Sequence, residues 1–240
     1  MIAHDPTLVI LSITIAILGA FTSSVMTPDL GALPPGEVRI RITMAAVTLG
    51  ASIWATQFAG LLAIVARVNV AYNPLALGLS AVTAFTGTAA AMFLLRPKRG
   101  DAFTWLFPAV SIFGGAIAAT NYLGLIAIAG RGLELSWFLS AICVAFSVQI
   151  ALMALWFFFK PRGVFVTLLG STATGLGLAA AHYLAVASTS GLRETLQTIP
   201  QNSAGISSGY LAWAAAIMTY LICSICLSVF VIMQFREEIE

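Results

Sequence analysis

The chain has 240 residues, of which 60% are hydrophobic and 8% are charged, and its mean hydropathy is +1.00. Soluble domains carry roughly 25% charged residues, so this composition excludes a soluble globular protein and predicts an integral membrane protein whose main partner is the lipid bilayer. The formal net charge of +2 is too small and too dispersed to indicate a nucleic-acid partner.

Seven apolar segments follow one another along the chain. A helix needs about 20 mostly apolar residues to cross a bilayer, and turn-forming Pro, Gly and Asn residues separate the segments. The predicted spans are 8–27, 41–64, 75–95, 105–129, 135–159, 164–188 and 210–234. We therefore expect an all-α integral membrane bundle of seven transmembrane helices. The chain is predicted to be one transmembrane domain over residues 1–240, with no soluble effector domain.

Basic residues are unevenly divided between the two sides of these spans. One side has eight, and these are Arg39, Arg41, Arg96, Lys98, Arg99, Lys160, Arg162 and Arg236. The other side has three, and these are Arg67, Arg131 and Arg193. Because short loops rich in Lys and Arg remain in the cytoplasm, the N-terminus is predicted to lie outside and the C-terminus inside. In a bacterium these sides are the periplasm and the cytoplasm, separated by the inner membrane.

One stretch recurs at the predicted outer ends of spans two, four and six. Each copy has a glycine, a polar residue seven positions later, an aromatic residue directly after that, and a small residue three positions after the polar one. The copies are Gly50–Ala63, Gly114–Ala127 and Gly175–Ser188. Small residues let membrane helices approach closely. The repeat therefore predicts a pseudo-threefold bundle, built as one lead helix followed by three helical hairpins.

The polar and aromatic positions of the three copies are the candidate site. Amides, hydroxyls and imidazoles all form hydrogen bonds, and a histidine within a membrane span indicates a functional site by default. The candidates are Thr56, Gln57, Thr120, Asn121, Tyr122, His182 and Tyr183. Two interpretations stay open: a polar cluster that only fastens the helices, and a pocket that responds to a small ligand or a proton.

The repeated pattern resembles the MHYT domain family. Members carry three copies of a Met-His-Tyr-Thr-like motif at the outer ends of alternate spans in a seven-span bacterial membrane protein. The segments Trp54–Ala63, Ala119–Ala127 and Ala180–Ala187 carry the resemblance, which extends over nearly the whole chain. It implies bacterial sensing of a diatomic gas or redox signal through copper, which suits the methionine and histidine side chains of the motif.

The chain departs from the family at the copper ligands. The motif methionines and two of the three histidines are replaced, at Thr56, Gln57, Thr120, Asn121 and Ala181. We therefore expect the metal site to be largely lost and no cofactor to be bound. Copper is the alternative, and its ligands would then be His182 and His4, which the predicted topology places at the same face.

These observations predict a non-enzymatic sensory or regulatory membrane protein of a bacterium, acting through a membrane protein partner. The alternative is a structural accessory subunit of a larger membrane complex, since ligands are lost while the packing pattern is kept. A transporter or channel ranks third because it usually needs buried charges or broken helices. An enzyme ranks last because the sequence has no nucleophile–base pair, acidic dyad or phosphate-binding loop.

Overall fold

A computed structural model describes residues 5–65, 72–96, 102–129, 134–159, 163–190 and 208–237. Within these ranges the chain forms seven helices that are each long and apolar enough to cross a membrane. They are α1 (Pro6–Met26), α2 (Pro35–Val65), α3 (Pro74–Leu94), α4 (Ala102–Ala129), α5 (Trp137–Phe158), α6 (Val164–Ala187) and α7 (Ser208–Glu237). The predicted all-α bundle is confirmed, and the chain is a multi-pass membrane protein.

Short elements join some of these helices. A 3-10 helix covers Leu30–Ala32 between α1 and α2. The strands β1 (Glu134–Leu135) and β2 (Thr189–Ser190) pair in antiparallel register, with Glu134 opposite Ser190. Most of the loop cations used to predict the orientation lie outside the described residues, as does His4.

The helix boundaries agree with the predicted spans to within three residues, except at the start of α2. This helix begins at Pro35, six residues before the predicted span. Hydropathy excluded the first turns because they contain charged residues. Glu37 and Arg41 are four positions apart, and their side chains form an ion pair within the helix, so these turns are helical despite their polarity.

The outer helices α1, α3 and α5 each begin at the end of an inner helix. Asp5 and Asn73 cap α1 and α3 with their side-chain oxygens, directly before a proline, which is a favoured way to begin a helix. One residue directly precedes each outer helix, and its backbone N–H donates to a carbonyl at the end of an inner helix. In each motif copy this carbonyl belongs to the residue six positions after the polar one. These bonds are Asp5 to Ala63 at 2.9 Å, Asn73 to Ala127 at 2.7 Å and Ser136 to Ser188 at 2.8 Å.

The first glycine of each motif copy lies against the backbone of an outer helix. A Cβ atom at Gly50 would lie 3.1 Å from the Cα of Phe85 on α3. The corresponding distances are 2.6 Å from Gly114 to Val148 on α5, and 2.6 Å from Gly175 to Ile17 on α1. Only glycine permits such close contact, so the same device joins all three inner helices to the next outer helix.

Six helices consequently form a closed ring in which α1 packs against both α2 and α6. The inner helices α2, α4 and α6 also contact one another, and α7 packs on α2 and α1 outside the ring. The expected pairing of α6 with α7 as a third hairpin is thus replaced by contact between α6 and the lead helix. The reason is that Gly175 on α6 lets the backbone of α1 approach closely at Ile17. This contact joins the first helix of the ring to the last one.

A polar cluster where the three motif helices meet

In two of the three copies, the small residue three positions after the polar one contacts the polar side chain of another copy. We call the end of the bundle at which α2, α4 and α6 finish the motif end. There, the amide of Gln57 on α2 lies over Gly124 on α4, and the ring of His182 on α6 lies over Gly60 on α2. A Cβ atom at either glycine would collide with the side chain above it. The small residue at this motif position therefore makes room for a neighbour's polar group.

Asn121 on α4 connects the third copy to this arrangement. Its Oδ1 lies 3.2 Å from Nδ1 of His182, and its Nδ2 donates to the carbonyl of Ile117 at 3.1 Å. Because Oδ1 can only accept, the proton of the neutral imidazole is assigned to Nδ1. The second ring nitrogen, Nε2, then carries the lone pair and faces Gly60. Asn121 and His182 are thus hydrogen-bonded to each other, and Gln57 lies over Gly124, three positions along α4 from Asn121.

Gln57 is the unusual member of this cluster. Its side chain is only 1% exposed, and neither Nε2 nor Oε1 has a hydrogen-bond partner among the described residues. Leaving a buried polar group unpaired costs about 1–3 kcal/mol. The packing of the motif helices therefore places an amide where its hydrogen-bonding capacity is unused.

The threonines that replace the motif methionines fasten inner helices to outer ones. Thr56 Oγ1 donates to the carbonyl of Ser12 on α1 at 3.3 Å, and Thr120 Oγ1 donates to the carbonyl of Ser80 on α3 at 3.5 Å. In the third copy the direction is reversed. Here the thiol of Cys143 on α5 donates to the carbonyl of Ala181, with 3.6 Å between sulfur and oxygen. These three contacts occupy equivalent places in the pseudo-threefold ring.

The aromatic residues of the motif contact residues outside the Gln57, Asn121 and His182 cluster, although the ring of Tyr183 also packs edge-on against His182, with 5.2 Å between centroids. The hydroxyl of Tyr122 lies 3.0 Å from Oγ of Ser188, and the hydroxyl of Tyr183 lies 3.4 Å from Oγ of Ser12. In the first copy the aromatic residue is Phe58, whose ring packs beside Tyr72 with 5.7 Å between centroids. Burial raises the pKa of Tyr72 to about 12. The predicted site residues Tyr122 and Tyr183 are therefore interhelical contacts beside the cluster.

Among the side chains of Gln57, Asn121 and His182, only that of His182 is of a type that copper favours. Copper takes imidazole, thiolate and thioether ligands, and within the described ranges no group of three or more His, Cys, Asp or Glu residues could hold a metal. The two threonine hydroxyls are used by carbonyl oxygens, and Nδ1 of His182 is used by Asn121. His4, the other predicted ligand, lies outside the described residues, so the predicted pair of His4 and His182 stays a prediction.

Several residues of this site escape sequence reasoning. They are the two motif glycines that face a polar side chain, three partners on the outer helices and one residue directly after α6, and these are Gly60, Gly124, Ser12, Ser80, Cys143 and Ser188. A signal for the glycines was present, since the repeat has a small residue three positions after each polar one. The outer-helix partners have no such signal, because the contacts at Ser12 and Ser80 use backbone carbonyls, which any residue would supply.

Comparison with known proteins identifies one family in part of the chain. Residues 50–106 match the MHYT family model, described as a bacterial signalling protein N terminal repeat. This segment contains the first motif copy, α3 and the start of α4. No curated protein matches the chain, and no solved structure matches it. The resemblance that the motif residues indicate is confirmed over residues 50–106, which match the family model of this signalling-protein repeat.

Proposed function

We propose that the chain is a non-enzymatic, MHYT-like sensory or regulatory protein of the bacterial inner membrane, and that Gln57, Asn121 and His182 form its signal-responsive element. The match at residues 50–106 supports a signalling role, and the seven apolar helices support a place in the membrane. The motif end faces the periplasm in this proposal, as the distribution of basic residues favours. A membrane protein partner receives the signal.

The unpaired amide of Gln57 is the observation that carries this proposal. A cluster that served only to fasten helices would gain from an apolar side chain at this position, since a buried unpaired amide opposes folding. Gln57 instead keeps two hydrogen-bonding atoms beside the Asn121–His182 pair. A small neutral signal molecule with a hydrogen-bond donor and an acceptor would satisfy them. In the absence of the methionine and histidine ligands, we propose that this element works without bound copper.

A regulatory role is tested in a strain that carries the gene, with the substitution Asn121→Leu and the matched control Thr14→Val. Thr14 lies exposed on α1, and its hydroxyl donates to the carbonyl of Ile10 in the same helix. Both variants are first confirmed in the membrane fraction at parental abundance. We expect Asn121→Leu to reproduce the transcript changes of a deletion strain and Thr14→Val to match the parent. Parental transcripts in the Asn121→Leu strain, with clear changes in the deletion strain, would contradict a responsive cluster.

The alternative is a structural accessory subunit of a larger membrane complex, for which the interlocked helices would suffice. It predicts that the protein purifies in mild detergent with defined partners at fixed stoichiometry and that its deletion destabilises those partners. It also predicts that Asn121→Leu and Thr14→Val behave alike as long as the bundle folds. The same two strains therefore distinguish the alternative from the proposal.

A further inference from the structure

At the end of the bundle opposite the motif end, a buried arginine joins α7 to the ring. Arg41 is only 4% exposed, and no other charged residue in the described part of the chain is buried. It lies in the second turn of α2, and α7 is the peripheral helix that packs on α2 and α1. A buried guanidinium is costly unless its donors are paired, so its partners indicate what the residue does.

Two helices supply partners of Arg41 among the described residues. On α2 itself, Nε donates to Oε1 of Glu37 at 2.9 Å, and Nη2 lies 2.6 Å from the same oxygen. On α7, the guanidinium carbon lies 5.1 Å from the ring centroid of Phe230. The amide of Gln234, with its oxygen turned toward the guanidinium, accepts from Nη2 at 2.7 Å and from Nη1 at 3.1 Å. Phe230 and Gln234 are four positions apart and therefore share one face of α7.

We propose that Arg41 is a latch that holds the last turns of α7 against α2. The planar guanidinium satisfies the geometry of both contacts, since it stacks on an aromatic ring while its edge donates to an oxygen. The ion pair with Glu37 belongs to α2 alone, so it keeps Arg41 partly neutralised when α7 moves away. This makes the contact releasable. A second hydrogen bond between these two helices runs from Thr219 to the carbonyl of Ala51, at 3.4 Å and nearer the middle of the bundle.

Helix α2 connects Arg41 to the motif end of the bundle. Helix α2 runs without a break from Pro35 to Val65, and the 16 positions from Arg41 to Gln57 span about 24 Å at 1.5 Å per residue. One rigid helix thus carries Gln57 and Gly60 at one end and the latch at the other. We infer that a change in the packing of α2 at the cluster alters the hold on α7. This second step rests on the proposed function, whereas the latch itself does not.

Hydrogen–deuterium exchange of the full chain in lipid nanodiscs tests the latch. The variant Arg41→Gln removes the guanidinium, and Arg39→Gln is the matched control because Arg39 is exposed on the same helix. We expect exchange in residues 228–237 to become roughly tenfold faster or more in Arg41→Gln, since lost hydrogen bonds to a charged group raise the population of locally opened states. We expect Arg39→Gln to exchange like the parent, and α4 to be unchanged in both.

Two further variants keep the test decisive if Arg41→Gln fails to fold. Phe230→Leu and Gln234→Leu each remove a contact on α7 and leave the ion pair on α2 in place, and both should accelerate exchange of residues 228–237 by a smaller factor. Unchanged exchange in these variants, or in a folded Arg41→Gln, would overturn the latch.

Asn121→Leu, measured in the same way, tests the second step. Altered exchange of residues 228–237 in this variant supports communication along α2. Parental exchange there overturns the communication and leaves the latch standing. The proposed sensory function is judged separately, by the transcript experiment.

Discussion

Two buried amides in the same cluster are expected to have opposite effects on stability. Asn121 uses its oxygen on the imidazole of His182 and its nitrogen on a backbone carbonyl. Gln57 uses neither atom within the described residues. The free energy of unfolding should therefore depend on the hydrogen bonds of each amide rather than on its burial, since both are almost completely buried.

Gln57→Leu is expected to leave the purified protein as stable as the parent, or to raise the free energy of unfolding by up to about 2 kcal/mol, because it removes an unpaired buried amide and conserves volume. Asn121→Leu should lower the free energy of unfolding by about 1–3 kcal/mol, because it leaves the N–H of His182 without its acceptor. Denaturant unfolding in detergent micelles measures both. A loss of more than about 1 kcal/mol in Gln57→Leu would show that the amide is satisfied in the purified protein.

Metal content follows from the donors at the same residues. The protein, purified and supplied with Cu(I) under reducing conditions, is expected to retain well below one copper per chain after desalting, since the cluster offers one imidazole and two amides in place of the thioether and imidazole ligands that copper favours. Elemental analysis provides the measurement, with His182→Ala as the comparison. Stoichiometric copper that disappears in His182→Ala would contradict this prediction.

The positions of the cluster could be predicted from the sequence, but its connections could not. The threefold repeat identified Gln57, Asn121 and His182 as equivalent. It did not show that each side chain lies against a different helix, because that depends on the order of the helices around the ring. The threonines illustrate the same limit, since their partners are backbone carbonyls of Ser12 and Ser80 that leave no trace in the sequence.

Among the elements, α4 contains two adjacent glycines in contrasting surroundings. Gly114 faces α5, where a Cβ atom would lie 2.6 Å from the Cα of Val148 and 2.9 Å from its backbone nitrogen. Gly115 is exposed, with no atom within 4 Å of the same position. The residue type does not distinguish them. The repeat does, because Gly114 is the glycine seven positions before Asn121 and its counterparts Gly50 and Gly175 are packed in the same way.

Gly114→Ala is therefore expected to lower the free energy of unfolding by about 1–3 kcal/mol, because the added methyl group forces α4 and α5 apart. Gly115→Ala should be neutral or raise it by up to about 1 kcal/mol, since alanine is the better helix former and meets open space. Unfolding of the two variants under identical detergent conditions gives the comparison. Equal effects would mean that the α4–α5 contact is looser than the structure shows.

At the scale of the whole molecule, hydropathy predicted the number and extent of the helices but not the closure of the ring. Each span is long and apolar enough to be recognised alone. The partner of α6, in contrast, depends on the close contact at Gly175. The helix that packs against this glycine is α1, the first helix in the chain. Sequence order favoured α7 as the partner, because neighbouring spans usually form hairpins. Hydropathy places the start of α2 too late, because Glu37 and Arg41 each lower the hydropathy of the first turns although they form an ion pair with each other.

The orientation of the whole bundle is the remaining prediction, and it decides which compartment the cluster faces. If the seven apolar helices of the described ranges all cross the membrane, the two termini are predicted to lie on opposite sides. The sequence then has eight basic residues on the predicted C-terminal side against three on the other. A green fluorescent protein fused to the C-terminus should therefore fluoresce, and alkaline phosphatase at the same place should be inactive, since they require the cytoplasm and the periplasm respectively. Phosphatase inserted after Arg131, next to the end of α4, should be active. The reverse pattern would place Gln57, Asn121 and His182 near the cytoplasm and would exclude a periplasmic signal.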